Sequence, residues 1–184
     1  CVFKTAVCPL DIGVFVGSCH LATGQVGLVR RTLHQETPFG WLAFGIEQHV
    51  LQTVQWVEPP ECVSTKSELT VYVEHLLRGE CVPCPWPLAI RGTDFQQKVW
   101  MALTTIPFGE TRTYSEIAKR VGSPRAQQAV GQACRRNPFP LVIPCHRVVT
   151  ASQGIGGYCG VAQSARKIRL LAHEKKSVQF YRSC

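Results

Sequence analysis

Short apolar runs broken by glycine and proline fill the first third of the chain. Ile12-Gly13-Val14-Phe15-Val16 and Val26-Gly27-Leu28-Val29 read as strands joined by a turn at Ala22-Thr23-Gly24-Gln25, which predicts a small hairpin sheet up to about residue 57. The period then lengthens. Between Glu68 and Leu77 the residues Leu69, Val73, Leu76 and Leu77 share one helical face, and Gly79 supplies the stop. Cys81-Val82-Pro83-Cys84-Pro85-Trp86-Pro87 follows as a stiff, extended connector.

Past the connector the pattern is helical. Thr93 or Asp94 caps a helix from Phe95 to about Thr105, with Val99, Ala102, Leu103 and Ile106 inward and Pro107-Phe108-Gly109 ending it. Thr113 and Glu116 have capping-box spacing just before Ile117, Ala118 and Val121, and Gly122 closes that helix. Ser123-Pro124 reads as an N-cap with proline at the first helical position, so the next helix is expected to start there. It carries Ala126, Ala129, Val130 and Ala133 at helical spacing. Two helices joined so tightly make a helix-turn-helix candidate, with an ordinary packed helical hairpin as the alternative. Ala165, Ile168, Leu171 and Ala172 mark a last amphipathic helix ending at His173-Glu174.

Charge divides the chain at nearly the same place as the prolines. Residues 1–90 hold five Lys/Arg against eight Asp/Glu, a net of −3, whereas residues 91–184 hold fifteen against four, a net of +11. We therefore expect two domains, 1–90 and 91–184, with a polyanion such as nucleic acid facing the second. A chain of 184 residues can bury a real core, and no apolar run reaches the roughly 18 residues of a membrane span. The N-terminus lacks a charged-then-apolar secretion pattern, so an intracellular protein is expected. Ten irregularly spaced cysteines read mostly as small apolar fillers instead of a disulfide framework.

One cysteine stands apart. Leu141-Val142-Ile143 can bury itself, and Pro144 then forces a bend that carries Cys145 next to His146. A thiol held beside a base is a candidate nucleophile, because the thiolate is the attacking form.

Pro144-Cys145-His146-Arg147-Val148-Val149, preceded by Asn137-Pro138, resembles the active-site signature of the O6-alkylguanine-DNA alkyltransferases, or methylated-DNA–protein-cysteine methyltransferases. Further ordered matches are Phe95-Gln96-Gln97-Lys98-Val99-Trp100, Ile106-Pro107-Phe108-Gly109-Glu110-Thr111, Tyr114, Ala129-Val130-Gly131, Gly156-Gly157-Tyr158 and Leu170-Leu171-Ala172-His173-Glu174. They span the basic half, while residues 1–90 match weakly, at Pro9-Leu10 and the strand after it. The resemblance implies an α/β fold: an N-terminal α/β domain with a small antiparallel sheet, then a mainly helical, winged-helix-like domain with a helix-turn-helix.

It also implies a reaction. A monomer binds double-stranded DNA in the minor groove, flips an O6-alkylguanine into a pocket, and takes the alkyl group irreversibly onto Cys145, once per molecule. By similarity His146 takes the thiol proton through a water, Glu174 orients and charges that His, Asn137 braces the cysteine loop, and Tyr114 donates to the leaving guanine. The pocket would be Val148, Gly156, Gly157, Tyr158, Cys159 and Gly160. Gln96, Tyr114, Ser115, Ser123, Ala126, Gln128, Gly131 and Arg135 would face DNA. No cofactor is needed for catalysis. Some relatives hold a structural zinc, but Cys1, Cys8, Cys19, His20, Cys81 and Cys84 do not map onto its spacing, and Cys81-x-x-Cys84 alone is a weak signal. The expected location is the nucleus in a eukaryote and otherwise the cytoplasm.

Three positions depart from the family pattern. Gln128 stands where an arginine usually fills the gap left by the flipped base. Cys159 replaces a common serine, and Arg136 replaces a smaller residue. Three rival readings are a lesion binder without alkyl transfer, which Cys145 argues against, a helix-turn-helix regulator, and a thiol oxidoreductase built on Cys81-x-x-Cys84.

Overall fold

The structure, a computed structural model, describes residues 30–61, 68–152, 154–162 and 164–183, without side-chain detail from 181 on. The expected strands at 12–16 and 26–29, and Cys1, Cys8, Cys19 and His20, lie outside the described residues.

Three strands, β1 (Arg30–Thr37), β2 (Gly40–Glu47) and β3 (Val50–Val57), form an antiparallel sheet in the order β1-β2-β3. The central strand alternates strictly: Leu42, Phe44 and Ile46 are buried, and the residues between them are not. One face of the sheet thus covers the core. Helix α1 (Glu68–Arg78) buries Leu69, Tyr72 and Val73. It stops at Gly79, whose φ of +75° suits glycine and whose missing side chain leaves room for the Phe108 ring.

Edge strand β3 is partly covered along its open backbone. Leu51 N–H donates to Pro87 O (2.8 Å), Ala89 N–H to Leu51 O (2.9 Å), and Val54 N–H to Pro138 O (2.8 Å). The proline connector and the loop after Asn137 therefore cover part of the open edge. Apolar packing runs on without a break from Leu42 and Phe44 to Val99, Trp100 and Ile143.

The second half contains α2 (Asp94–Thr104), the two-residue strand β4 (Arg112–Thr113), α3 (Tyr114–Arg120), α4 (Gln127–Arg135), the two-residue strand β5 (Val148–Val149) and α5 (Ala165–Ser183). The expected capping box of Thr113 with Glu116 is present, and Thr93, expected only as a possible cap, forms a second one with Gln96. The start of α4 differs from expectation. Ser123-Pro124 forms only a turn, closed by Ala126 N–H to Ser123 O, and Ala126 precedes the helix without a side-chain cap.

Helix α5 also corrects the reading of its pattern. It continues past His173-Glu174 to Ser183, and Ala165, Ile168 and Ala172 are exposed. The buried positions are Lys167, Leu170 and Glu174. Its inward face carries two charged groups because each finds partners inside the protein. Among the described cysteines the filler role fits Cys134; Cys81 and Cys159 are exposed and Cys84 is half-buried. No helix among the described residues is long and apolar enough to cross a membrane.

Candidate active site

The cysteine sits on a loop with little freedom. Asn137 Nδ2 donates to Ile143 O (2.8 Å), and Asn137 Oδ1 accepts from Phe139 N–H (3.0 Å). Leu141 is held at φ +75°, a strained conformation for a bulky residue. Cys145–Arg147 then form a single 3-10 turn leading into β5. That strand pairs in parallel with β4, Arg112 opposite Val148 and Thr113 opposite Val149. The pairing ties the cysteine loop to the start of α3, where Tyr114 stands.

Cys145 is 3% exposed, and its Sγ accepts from Asn137 Nδ2 at 3.2 Å. Burial pushes the thiol up to about 12, with the Asn137 donor working in the opposite direction. The resting nucleophile is therefore a thiol, stored protonated. Its neighbour His146 is fully buried and donates from Nε2 to Glu174 Oε1 at 2.8 Å. Burial lowers the ring below its ordinary range although the Glu174 charge pulls the other way. Burial thus favours a neutral imidazole at rest, while Glu174 orients the ring and favours its charged form. With Nε2 as the donor, Nδ1 is the basic nitrogen, buried and with no protein hydrogen-bond partner among the described residues.

Burial would raise Glu174, but His146 and Arg147 override it and bring the carboxyl down to about 2. Arg147 grips it from the side: Nε lies 3.1 and 3.0 Å from the two carboxylate oxygens and Nη2 3.0 Å from Oε1. Arg147 Nη1 donates to Ile106 O (2.8 Å), and Gly109 N–H donates to Glu174 Oε2 (3.0 Å). Lys167 is also buried, with Nζ donating to Val148 O (2.5 Å) and Gly157 O (3.3 Å). It joins the strand after the cysteine to the glycine loop.

Sequence reasoning did not single out Arg147 or Lys167. Arg147 lay inside the quoted motif without a role. Lys167 lies seven residues before Glu174, on the same face of α5.

Most of the expected pocket residues gather around this centre. The Tyr158 ring meets the His146 ring edge to face, with centroids 6.2 Å apart. Gly156, at φ +64°, approaches Tyr114 so closely that a Cβ there would lie 3.0 Å from its hydroxyl. A Cβ on Gly131 of α4 would also touch the Tyr114 ring, at 3.9 Å, and one on Gly160 would touch Arg135 Nε at 3.7 Å. Val148 is buried, and Cys159 is exposed at φ +48°. Burial pushes the Tyr114 hydroxyl up to about 12, as do nearby Cys134 and Cys145, so it stays a donor.

The expected DNA-facing residues are less tightly grouped. Ser115 and Ser123 are half-buried at the ends of α3, while Gln128 and Arg135 are exposed on α4. The Gln96 side chain is already committed, accepting from Thr93 N–H at 3.0 Å in its capping box. Among the described residues no three His, Cys, Asp or Glu side chains gather as metal ligands, and Cys81 and Cys84 acquire no third.

The sequence profile of the 6-O-methylguanine DNA methyltransferase DNA-binding domain matches residues 94–176. The constitutive methylated-DNA–protein-cysteine methyltransferase of Bacillus subtilis is 38% identical over 158 residues, covering 86% of each chain. That of Mycobacterium leprae is 41% identical over 152 residues, covering 78% of this chain and 91% of its own. Among solved structures, O6-methylguanine methyltransferase of Mycobacterium tuberculosis superposes with a TM-score of 0.66 at 34% identity, over 83% of this chain and 99% of that one. The same organism's OGT in complex with DNA gives 0.65 at 38% identity, over 79% and 93%. With a buried Cys145 held by Asn137, a buried His146 held by Glu174 and kinship along most of its length, the chain belongs to the methylated-DNA–protein-cysteine methyltransferase family.

Proposed function

We propose that this protein repairs DNA by moving an alkyl group from O6 of guanine onto Cys145, each molecule acting once. The observation that carries the reading is the buried Cys145 held by Asn137 beside the buried His146–Glu174 pair, whose second ring nitrogen finds no protein partner among the described residues. The stored thiol loses its proton to His146 Nδ1 through a water. The imidazolium so formed lies 2.8 Å from an ionised Glu174, which stabilises it. Sulfur then bonds to the alkyl carbon as the carbon–O6 bond breaks, and that electron pair leaves with the guanine. Tyr114, still protonated at neutral pH, donates to the base as it becomes more basic.

Duplex DNA is the partner, approached from the minor groove by α4 and its flanks. Ser115, Ser123, Ala126 and Arg135 are assigned to phosphate and groove contacts, and Gly131 lets the helix come close. Gln128 enters the gap behind the flipped base, where its shorter, uncharged side chain holds less firmly than an arginine. Val148, Gly156, Gly157, Tyr158, Cys159 and Gly160 receive the base. Taking it out of the stack costs a few kcal/mol, less for a lesion that pairs badly.

We also assign residues 1–90 and 91–184 to separate domains, on the charge switch and the proline connector. The protein works beside chromosomal DNA, in the cytoplasm of a bacterium, as its bacterial relatives suggest, or in the nucleus of a eukaryote. Mixing the protein with a duplex holding O6-methylguanine and weighing its peptides tests the reaction. One methyl on Cys145, absent from Cys145→Ala, is expected; tight lesion binding with unchanged mass would replace the reading with a non-catalytic binder.

A further inference from the structure

Strand β3 belongs to the half that the alkyl-transfer reading leaves without a task, yet it touches both loops around the catalytic pair. Val54 N–H donates to Pro138 O at 2.8 Å. Pro138 follows Asn137, whose amide meets Cys145 Sγ. Two residues further along β3, Trp56 Nε1–H donates to the Tyr158 hydroxyl at 3.0 Å. Tyr158 is buried, and its ring lies against the His146 ring.

The indole is itself held in place. The Arg166 guanidinium stacks over its ring at 4.5 Å, while Arg166 Nε donates to Phe39 O at 3.0 Å. Arg166 lies on α5 next to Lys167, which fixes the carbonyls of Val148 and Gly157. Helix α5 and the sheet therefore clamp the Tyr158 loop from two directions. Trp56 is only half-buried, so neither core filling nor Arg166 stacking calls for an indole N–H pointed at a tyrosine oxygen 102 residues away.

We infer that Trp56 is a positioning residue for alkyl transfer, its indole N–H holding Tyr158, and with it the base-receiving loop, in register with Cys145 and His146. The inference rests on the alkyl-transfer reading above. A bond of this kind fixes a side chain whose freedom would otherwise blur the approach of the base to sulfur, and small misplacements there slow chemistry more than binding. The N-terminal sheet thus acts in catalysis through Tyr158.

Trp56→Phe keeps a ring under Arg166 and removes only the donor. Single-turnover methylation of Cys145 should slow about three- to tenfold, the span set by one neutral hydrogen bond, while the dissociation constant for lesion duplex changes less than about twofold. Tyr158→Phe removes the same bond from its other end and leaves the sheet untouched. Adding Trp56→Phe to Tyr158→Phe should bring no further loss, because the Trp56 bond is already gone once the Tyr158 hydroxyl is removed. Trp56→His, which restores a ring N–H, should recover part of the rate. Wild-type speed in Trp56→Phe, or losses that multiply in the double variant, would overturn the inference. A wild-type protein that leaves Cys145 unmethylated would instead remove the reading on which it rests.

Discussion

Replacing Glu174 with glutamine removes the charge that holds His146, Arg147 and Gly109 at once. The carboxylate receives His146 Nε2–H, the Arg147 fork and Gly109 N–H, all between 2.8 and 3.1 Å. An amide offers one oxygen for these donors and turns an NH2 toward the rest. The carboxyl is lowered from 4.5 to about 2. At roughly 1.4 kcal/mol per pKa unit, the ionised form contributes about 3 kcal/mol at pH 7. Removing one partner of a buried pair costs about 3–5 kcal/mol, which agrees. Because the folded value is depressed, this stability is present above about pH 4.5 and is lost as pH falls toward 2. Urea unfolding should therefore separate wild type from Glu174→Gln by about 3 kcal/mol at pH 7 and about 1 kcal/mol at pH 3. Methyl transfer at pH 7 should fall by about a hundredfold or more, since the imidazolium loses its counter-charge. A stability gap of equal size at both pH values would refute the electrostatic reasoning and leave packing as the cause.

Asn137→Ala removes two donated bonds and one accepted bond. It should cost about 2–3 kcal/mol in thermal or urea unfolding and slow methylation of Cys145; an unchanged rate would deny Asn137 any part in holding the sulfur. Iodoacetamide should label Cys145 slowly at pH 7–8 in the folded protein and quickly in denaturant, because burial pushes the thiol up to about 12. That raised value contributes stability that is full below pH 9 and fades as pH climbs toward 12. Gln128→Arg should tighten binding to a lesion duplex and steepen its salt dependence, because a longer, charged side chain then fills the gap within the polyanion. Unchanged affinity and repair rate would mean that position 128 does not enter the gap.

The parts legible in the chain were those governed by neighbours within a few residues. The capping box of Thr113 and Glu116 formed as its spacing required, Thr93 capped the helix before it, and Gly79 and Gly122 closed helices at positive φ. Pro144 marked the bend at Cys145, and the family motif named His146, Asn137 and Glu174. The beginning of α4 was misjudged because Ser123-Pro124 satisfies a tight turn as well as a helix start. The inward face of α5 was misjudged for another reason. Apolar spacing assumes that buried means apolar, whereas Lys167 and Glu174 are buried on partners supplied by distant loops.

What the amino-acid order determined alone, then, was the set of local elements and the identity of the nucleophile, because caps, turns and a proline bend act over one or two helical turns. The protonation state of the site was decided only by the tertiary structure. A thiol kept protonated, an imidazole kept neutral and a carboxylate kept ionised all follow from burial and from charges brought near by folding. The fork from Arg147 to Glu174 joins residues 27 apart, and the bond from Trp56 to Tyr158 joins residues 102 apart. No periodicity along the chain encodes such contacts. They exist because the sheet, α5 and the cysteine loop close around one core and exclude water from it.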